Sequence, residues 1–151
     1  MPPSNVSLCR LVRPKQQVPL FDHHAAQLLM VDGLQAAWQG YDAAGHFVTI
    51  REPVIEFSMD HPIRITTMEQ FAAGSIVRSG PVITIPAPEF DRRLARVLSD
   101  TGVYVLGVKD CETITAILLE GRPINHQLVG AGFIALCGVG LWLLSRGRLM
   151  A

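Results

Sequence analysis

Cysteine is scarce in this sequence of 151 residues. It occurs three times, at Cys9, Cys111 and Cys137, and no two of these form a CxxC pair. A disulfide framework or a structural zinc site needs several cysteines at close, regular spacing. We therefore expect neither in this chain.

Net charge is also lacking, because 13 basic side chains are balanced by 13 acidic ones. Such a chain has no overall field that would draw it to nucleic acid, so no nucleic-acid partner is expected. Lysine is the rarer cation, with Lys15 and Lys109 as its two occurrences. We interpret this bias, together with the many Ala, Gly, Val and Leu residues, as the product of a GC-rich bacterial genome.

Signatures of the common enzyme classes are absent as well. The sequence has no G-x-S-x-G elbow, no G-x-x-x-x-G-K-[ST] loop and no G-x-G-x-x-G turn. Cys111 is a poor candidate nucleophile, since the flanking Asp110 and Glu112 would oppose its ionisation if they lie near it. We therefore expect no catalytic residue, no cofactor, and a chain that is not an enzyme.

The densest group of potential metal ligands is Asp22, His23 and His24. Two ligands on one helix face usually stand three or four residues apart, so two adjacent histidines cannot easily hold one ion. We expect no metal site. The same three residues would have to line a pocket if the chain were a small hydrolase.

What the sequence does contain is an uncharged apolar run of 17 residues from Leu128 to Leu144. As a helix it would be about 26 Å long, enough to cross a bilayer. Its polar flanks favour a transmembrane anchor at 123–146, followed by a short tail at 147–151, over a buried core helix. The large apolar side chains of this anchor are Leu128, Phe133, Ile134, Leu136, Val139, Leu141, Trp142, Leu143 and Leu144.

Small residues within the run offer a face for helix packing. Ala131 and Ala135 stand four positions apart among four glycines, although no GxxxG motif occurs. Glycine is also simply common in membrane helices, so a specific helix partner and a plain anchor both stay open.

The charges beside the run do not decide its orientation, because basic residues occur on both sides of it. We expect no signal sequence ahead of the domain, since no N-terminal signal pattern is evident in the sequence. We therefore expect a single-pass membrane protein whose N-terminal domain lies in the cytoplasm.

The part of the chain before the anchor divides into an extended N-terminal arm, 1–19, and a soluble α+β domain, 20–121. Several prolines and weak periodicity predict the arm. A helix is expected from His23 to Trp38, with Asp22 as its N-cap and Gly33 as a weak point.

Short β-branched segments then predict a three-stranded meander over 47–51, 54–58 and 63–67. Residues 113–119 fit a helix by their spacing and a strand by their composition. Further elements are expected as a helical turn at 68–73, a strand at 82–85, a helix opened by Pro88 and a central strand at 103–106. The predicted fold is α+β, a small mixed or mostly antiparallel sheet with two or three helices, plus one C-terminal transmembrane helix.

One local charge feature stands out on the helix opened by Pro88. Arg92, Arg93 and Arg96 fall on one side of the helix and form a basic patch. The patch could meet anionic lipid headgroups or an acidic surface of a partner protein. It could equally be a solvated face paired with Glu89 or Asp100.

Three functions follow as hypotheses. The leading one is a non-enzymatic, single-pass subunit of a larger bacterial, phage-encoded or plasmid-encoded membrane assembly, such as a secretion, conjugation or envelope complex. Its partners would be the lipid bilayer and either other subunits or further copies of the chain. The second is a membrane-tethered module that recruits a soluble partner. The third is a small membrane-bound hydrolase.

Overall fold

The computed structural model describes residues 4–15, 21–42, 44–57, 63–99 and 110–124. Its strands are β1 (Asn5–Pro14), β2 (Asp22–Val31), β3 (Leu34–Gln35), β4 (Ala37–Tyr41), β5 (Phe47–Arg51), β6 (Val54–Glu56), β7 (Arg64–Thr66), β8 (Arg78–Ser79) and β9 (Ile83–Pro86). Its helices are α1 (Met68–Ala72), α2 (Ala87–Ser99) and α3 (Cys111–Glu120). The described part is therefore α+β with three helices, as predicted.

The main sheet is built around the antiparallel pair β1 and β2. Its strands lie in the order β7, β6, β2, β1, β8, with β3 also paired to β2 and β9 to β1. The strands β4 and β5 form a separate hairpin. Every strand pair among the described residues is antiparallel, which agrees with the predicted mostly antiparallel sheet.

The prediction of an extended arm at 1–19 is wrong for Asn5–Pro14, which forms the central strand β1. Leu8 and Leu11 of this strand are buried. Pro14 stands at the strand's last position, where a missing N–H costs least. Pro14 therefore ends the strand and does not interrupt it.

The helix predicted from His23 to Trp38 is also wrong, because this segment forms β2, β3 and the start of β4. Asp32 and Gly33 both have positive φ, 51° and 75°, and make the tight turn between β2 and β3. An Asp-Gly pair is a strong hairpin signal for this reason. Gly33 is thus the turn itself and not a weak point in a helix.

The predicted three-stranded meander is wrong in its pairing. The strand at Phe47–Arg51 pairs with β4, whereas β6 pairs with both β2 and β7. Other predictions are confirmed, namely the helical turn α1, the strand β9 and the helix α2, and the ambiguous segment 113–119 is helical in α3. The predicted strand at 103–106, residues 125–146 of the predicted anchor and the tail lie outside the described residues.

Both faces of the sheet carry apolar clusters. One cluster joins β1, β2 and β6 to α2 and α3, with members such as Leu8, Ile55 and Leu118. The other lies on the opposite face around Phe71 of α1 and includes Cys9 and Leu11. Because both faces are covered, β1 and β2 lack the alternation of apolar and polar residues that marks a half-exposed strand.

Candidate active site

Helix α3 begins at Cys111, and its sequence explains why. The side chain of Asp110 accepts a hydrogen bond from the backbone N–H of Thr113 at 2.9 Å, which makes Asp110 the N-cap. At the other end, Gly121 takes a left-handed conformation with φ 76° and closes the helix. The thiol is therefore held at the first turn of a helix, where the helix dipole favours a negative charge.

Strand β2 brings His23 to the same end of the sheet. The ring nitrogen Nε2 of His23 lies 3.0 Å from Oε2 of Glu56. Glu56 belongs to β6 and stands opposite Ala25, two residues from His23 and hence on the same face. Arg64 of β7, which is the register partner of Glu56, donates a second hydrogen bond to this carboxylate.

The thiol of Cys111 lies next to His23. It forms a hydrogen bond with the side chain of His23 and accepts one from the backbone N–H of His24. Its Sγ also lies 3.9 Å from the carbonyl oxygen of Asp22. Phe71 stacks on the ring of His23 with a centroid distance of 5.5 Å and limits its rotation. The order Cys111, His23, Glu56 follows from these contacts, and we call these three residues the triad.

The electrostatics of the triad favour a charged thiol and a charged imidazole. Burial acts to raise the pKa of Cys111, but its interactions with His23 outweigh this and lower the pKa below its ordinary value. Burial acts to lower the pKa of His23, but hydrogen bonds to Cys111 and Glu56 raise it above its ordinary value. The opposite shifts are those of a thiolate paired with an imidazolium.

Glu56 keeps its negative charge in this buried setting. Burial acts to raise its pKa, yet hydrogen bonds from His23 and Arg64 lower the pKa below the ordinary value. Glu56 can therefore orient the imidazole and stabilise its positive charge. A nucleophile, a base and a group that orients the base are the components of nucleophilic acyl transfer.

The expectation that Asp110 and Glu112 would suppress ionisation of Cys111 is wrong in direction, since the pKa of Cys111 is lowered. Asp110 caps α3, and the charge of Glu112 acts on His24. Their proximity in sequence therefore says little about the field at the thiol.

The predicted cluster of Asp22, His23 and His24 does not converge. His24 faces away from its neighbour and places Nδ1 3.2 Å from Arg10, while the Asp22 carboxylate binds Arg78 at 3.0 Å. Burial lowers the pKa of His24 to about 4, so it is neutral at pH 7. Within the described ranges no group of three or more His, Cys, Asp or Glu side chains is arranged to hold a metal ion.

The predicted basic patch is partly engaged elsewhere. Arg92 and Arg93 both bind Glu89, and Arg93 also donates to the carbonyl oxygens of Leu118 and Leu119 at the end of α3. Arg96 is exposed in the last turn of α2. Binding of lipid or a partner by the three arginines stays a prediction.

The predicted anchor residues and the packing face at Ala131 and Ala135 fall outside the described residues. Of the helices in the described part of the chain, none combines the length and the apolar character that crossing a bilayer requires. Membrane attachment and orientation stay predictions.

No signal in the sequence points to Glu56, because it becomes a neighbour of His23 only when β6 pairs with β2. Cys111 had one usable signal, an aspartate immediately before a cysteine at the start of a helical pattern. That pattern predicts a capped helix with a thiol in its first turn.

Comparison of the chain with protein-family models, with curated proteins and with solved structures finds no match in any of the three.

Proposed function

We propose that this protein is a cysteine-dependent acyl-transfer enzyme, a hydrolase or transferase acting on an ester, thioester or amide. The observation that carries the proposal is the hydrogen-bonded row of Cys111, His23 and Glu56 at the start of α3. The proposed activity is closest to the third hypothesis from the sequence, a small membrane-bound hydrolase. That hypothesis placed Asp22, His23 and His24 in the pocket, whereas the proposal uses Cys111, His23 and Glu56.

The chemistry follows from the charges. The Cys111 thiolate attacks the acyl carbonyl, a thioester forms, and His23 donates its proton to the leaving group. Water or another acceptor then loses its proton to His23 and attacks the thioester. This step releases the acyl group and restores the Cys111 thiolate beside the His23 imidazolium. Glu56 holds the imidazole in place through Nε2 and stabilises its charge in both steps.

The experiment is to trap the acyl-enzyme. The full-length protein is incubated with a 4-nitrophenyl ester, and intact-mass spectrometry with peptide mapping locates the added acyl group. We expect one acyl group on Cys111, none in Cys111→Ser, and full acylation of Cys111 in Cys9→Ser. Acylation that survives Cys111→Ser at the same rate would sink the proposal.

The second candidate is the leading hypothesis from the sequence, a non-enzymatic membrane-assembly subunit with its N-terminal domain in the cytoplasm. The observation that favours it is the uncharged run from Leu128 to Leu144. Membrane attachment is compatible with either function. Replacement of Leu136 and Leu141 by lysine should release the full-length chain from membranes in alkaline extraction, whereas Arg92→Gln should not.

A catalytic role and a purely structural role make different demands on Cys111. In cells, an assembly subunit should function with Cys111→Ser as long as it folds and reaches the membrane. An enzyme should lose its function with this change while co-purifying with the same partners. Retained function would favour the structural subunit.

A further inference from the structure

Two cations lie at the end of β1 that borders the triad. Arg13 is the register partner of His23 in the β1–β2 pair. Lys15 follows at the next position on the same side of the chain, and its backbone N–H donates to the carbonyl oxygen of Phe21 at 3.0 Å. Asp22, whose carbonyl oxygen faces the Cys111 thiol, comes directly after Phe21. The charge of Lys15 helps to lower the pKa of Cys111, and the charge of Arg13 acts on His23.

The guanidinium of Arg13 is held in place but is not neutralised. Its central carbon lies 5.4 Å from the centre of the Phe71 ring, the ring that also stacks on His23. Its Nη1 donates to the carbonyl oxygen of Pro14 at 3.3 Å. Its Nε is buried and has no hydrogen-bond partner among the described residues.

The acidic side chains that surround the site have other partners. Glu56 binds His23 and Arg64, and Asp22 binds Arg78. Among the described residues, no carboxylate pairs with Arg13. A partly buried guanidinium with an unsatisfied N–H is costly unless an anion reaches it, and it matches carboxylate and phosphate oxygens well.

We infer that Arg13 and Lys15 form a subsite for an oxyanion, a carboxylate or a phosphate, carried by the acyl substrate close to the bond that Cys111 attacks. This inference rests on the proposed function, because it assigns the substrate class of the same site. It predicts that Cys111 prefers reagents with a negative charge, although a thiolate by itself repels them.

Iodoacetate and iodoacetamide test this preference, since they have the same size and differ in charge. Both form an Sγ–CH₂ bond and release iodide. Rates are measured on the full-length protein at pH 7 by peptide mass spectrometry, which follows Cys111 and Cys9 separately. We expect the ratio of the iodoacetate rate to the iodoacetamide rate to be about tenfold higher at Cys111 than in a cysteine-containing peptide without nearby charges.

The variants locate the effect. Arg13→Gln and Lys15→Gln should each lower this ratio severalfold. Any change in the ionisation of Cys111 affects both reagents alike and cancels in the ratio. Alkylation by iodoacetamide that stays faster at Cys111 than at Cys9 shows that the site is intact. Arg51→Gln, which removes one positive charge from β5, is the matched control and should keep the ratio. An equal loss in Arg51→Gln would mean a general field effect and would overturn a local subsite.

Competition by free anions distinguishes a subsite for carboxylate from a subsite for phosphate. At constant ionic strength, inorganic phosphate or acetate should slow the iodoacetate reaction, and the stronger competitor identifies phosphate or carboxylate. A ratio equal to that of the peptide, with rapid alkylation by iodoacetamide, overturns the subsite and leaves the acyl-transfer proposal standing. Alkylation of Cys111 by iodoacetamide no faster than that of Cys9 overturns both.

Discussion

Cys9 and Cys111 are buried to nearly the same degree, with 3% and 1% of their surfaces exposed, but their surroundings differ. Cys9 points its thiol at the side-chain oxygen of Gln27, 3.8 Å away, and burial followed by the charge of Glu52 raises its pKa. Cys111 meets His23, and its pKa is lowered. Burial by itself thus does not determine whether a thiol ionises; the group that faces it does.

His23 and His24 teach the same lesson at adjacent positions of one strand. Successive side chains of a strand point to opposite faces, so His23 meets Glu56 and His24 meets Arg10. The pKa of His23 is raised, whereas that of His24 falls to about 4. One position along the chain separates a histidine whose pKa is raised from one whose pKa is lowered.

The largest expected effect comes from removing the partner that distinguishes Cys111 from Cys9. His23→Gln should slow acylation of Cys111 about a thousandfold at pH 7, because both the base and the charge that stabilises the thiolate are lost. His24→Gln is the matched control and should acylate at nearly the normal rate. Stopped-flow release of nitrophenolate measures the acylation rate of both variants. A larger loss of rate in His24→Gln than in His23→Gln would mean that His24, and not His23, is the base.

The low pKa of His24 should make the free energy of unfolding depend on pH in the acid range. An unfolded histidine binds a proton near pH 6.5, whereas folded His24 binds one only near pH 4. As the pH drops from 6.5 to 4, His24 should therefore lower the free energy of unfolding by about 3 kcal/mol. Urea titrations across this range should show a shallower fall in His24→Gln, and parallel curves for the two proteins would contradict the assignment.

A smaller effect is expected from the group behind His23. Glu56→Gln should lower the pKa of His23 and slow acylation about tenfold, because the imidazolium loses its counter-ion but keeps a hydrogen-bond acceptor. The alkaline limb of the pH profile should move to lower pH, since the ion pair now breaks at lower pH. A rate loss without this displacement would indicate a folding defect.

The smallest effect concerns the start of α3. Asp110→Ala removes the N-cap and should lower the free energy of unfolding by about 1 kcal/mol. Asp110→Asn keeps a capping side chain and should lose much less. Chemical denaturation followed by circular dichroism compares the two variants, and an equal loss in both would mean that the carboxylate charge, not the cap, stabilises the helix.

The secondary structure was predictable where local signals agree. Thr67 and Gln70 form a capping box at α1, and Phe90 and Val97 mark the buried side of α2. Prediction failed in β2, where Ala25 and Ala26 have high helix propensity but are buried on opposite faces of the sheet. The Asp32-Gly33 turn was the signal that could have corrected it.

The sequence by itself determined the α+β composition, the helices α1 and α2, the absence of a local enzyme motif and the uncharged run that predicts a membrane anchor. Only the tertiary structure decided that His23, and not His24, faces Cys111, and that Glu56 stands behind it. The physical reason is that strand pairing and the packing of α3 bring distant segments together. A thiol's ionisation depends on the groups close in space, which its neighbours in the chain do not reveal.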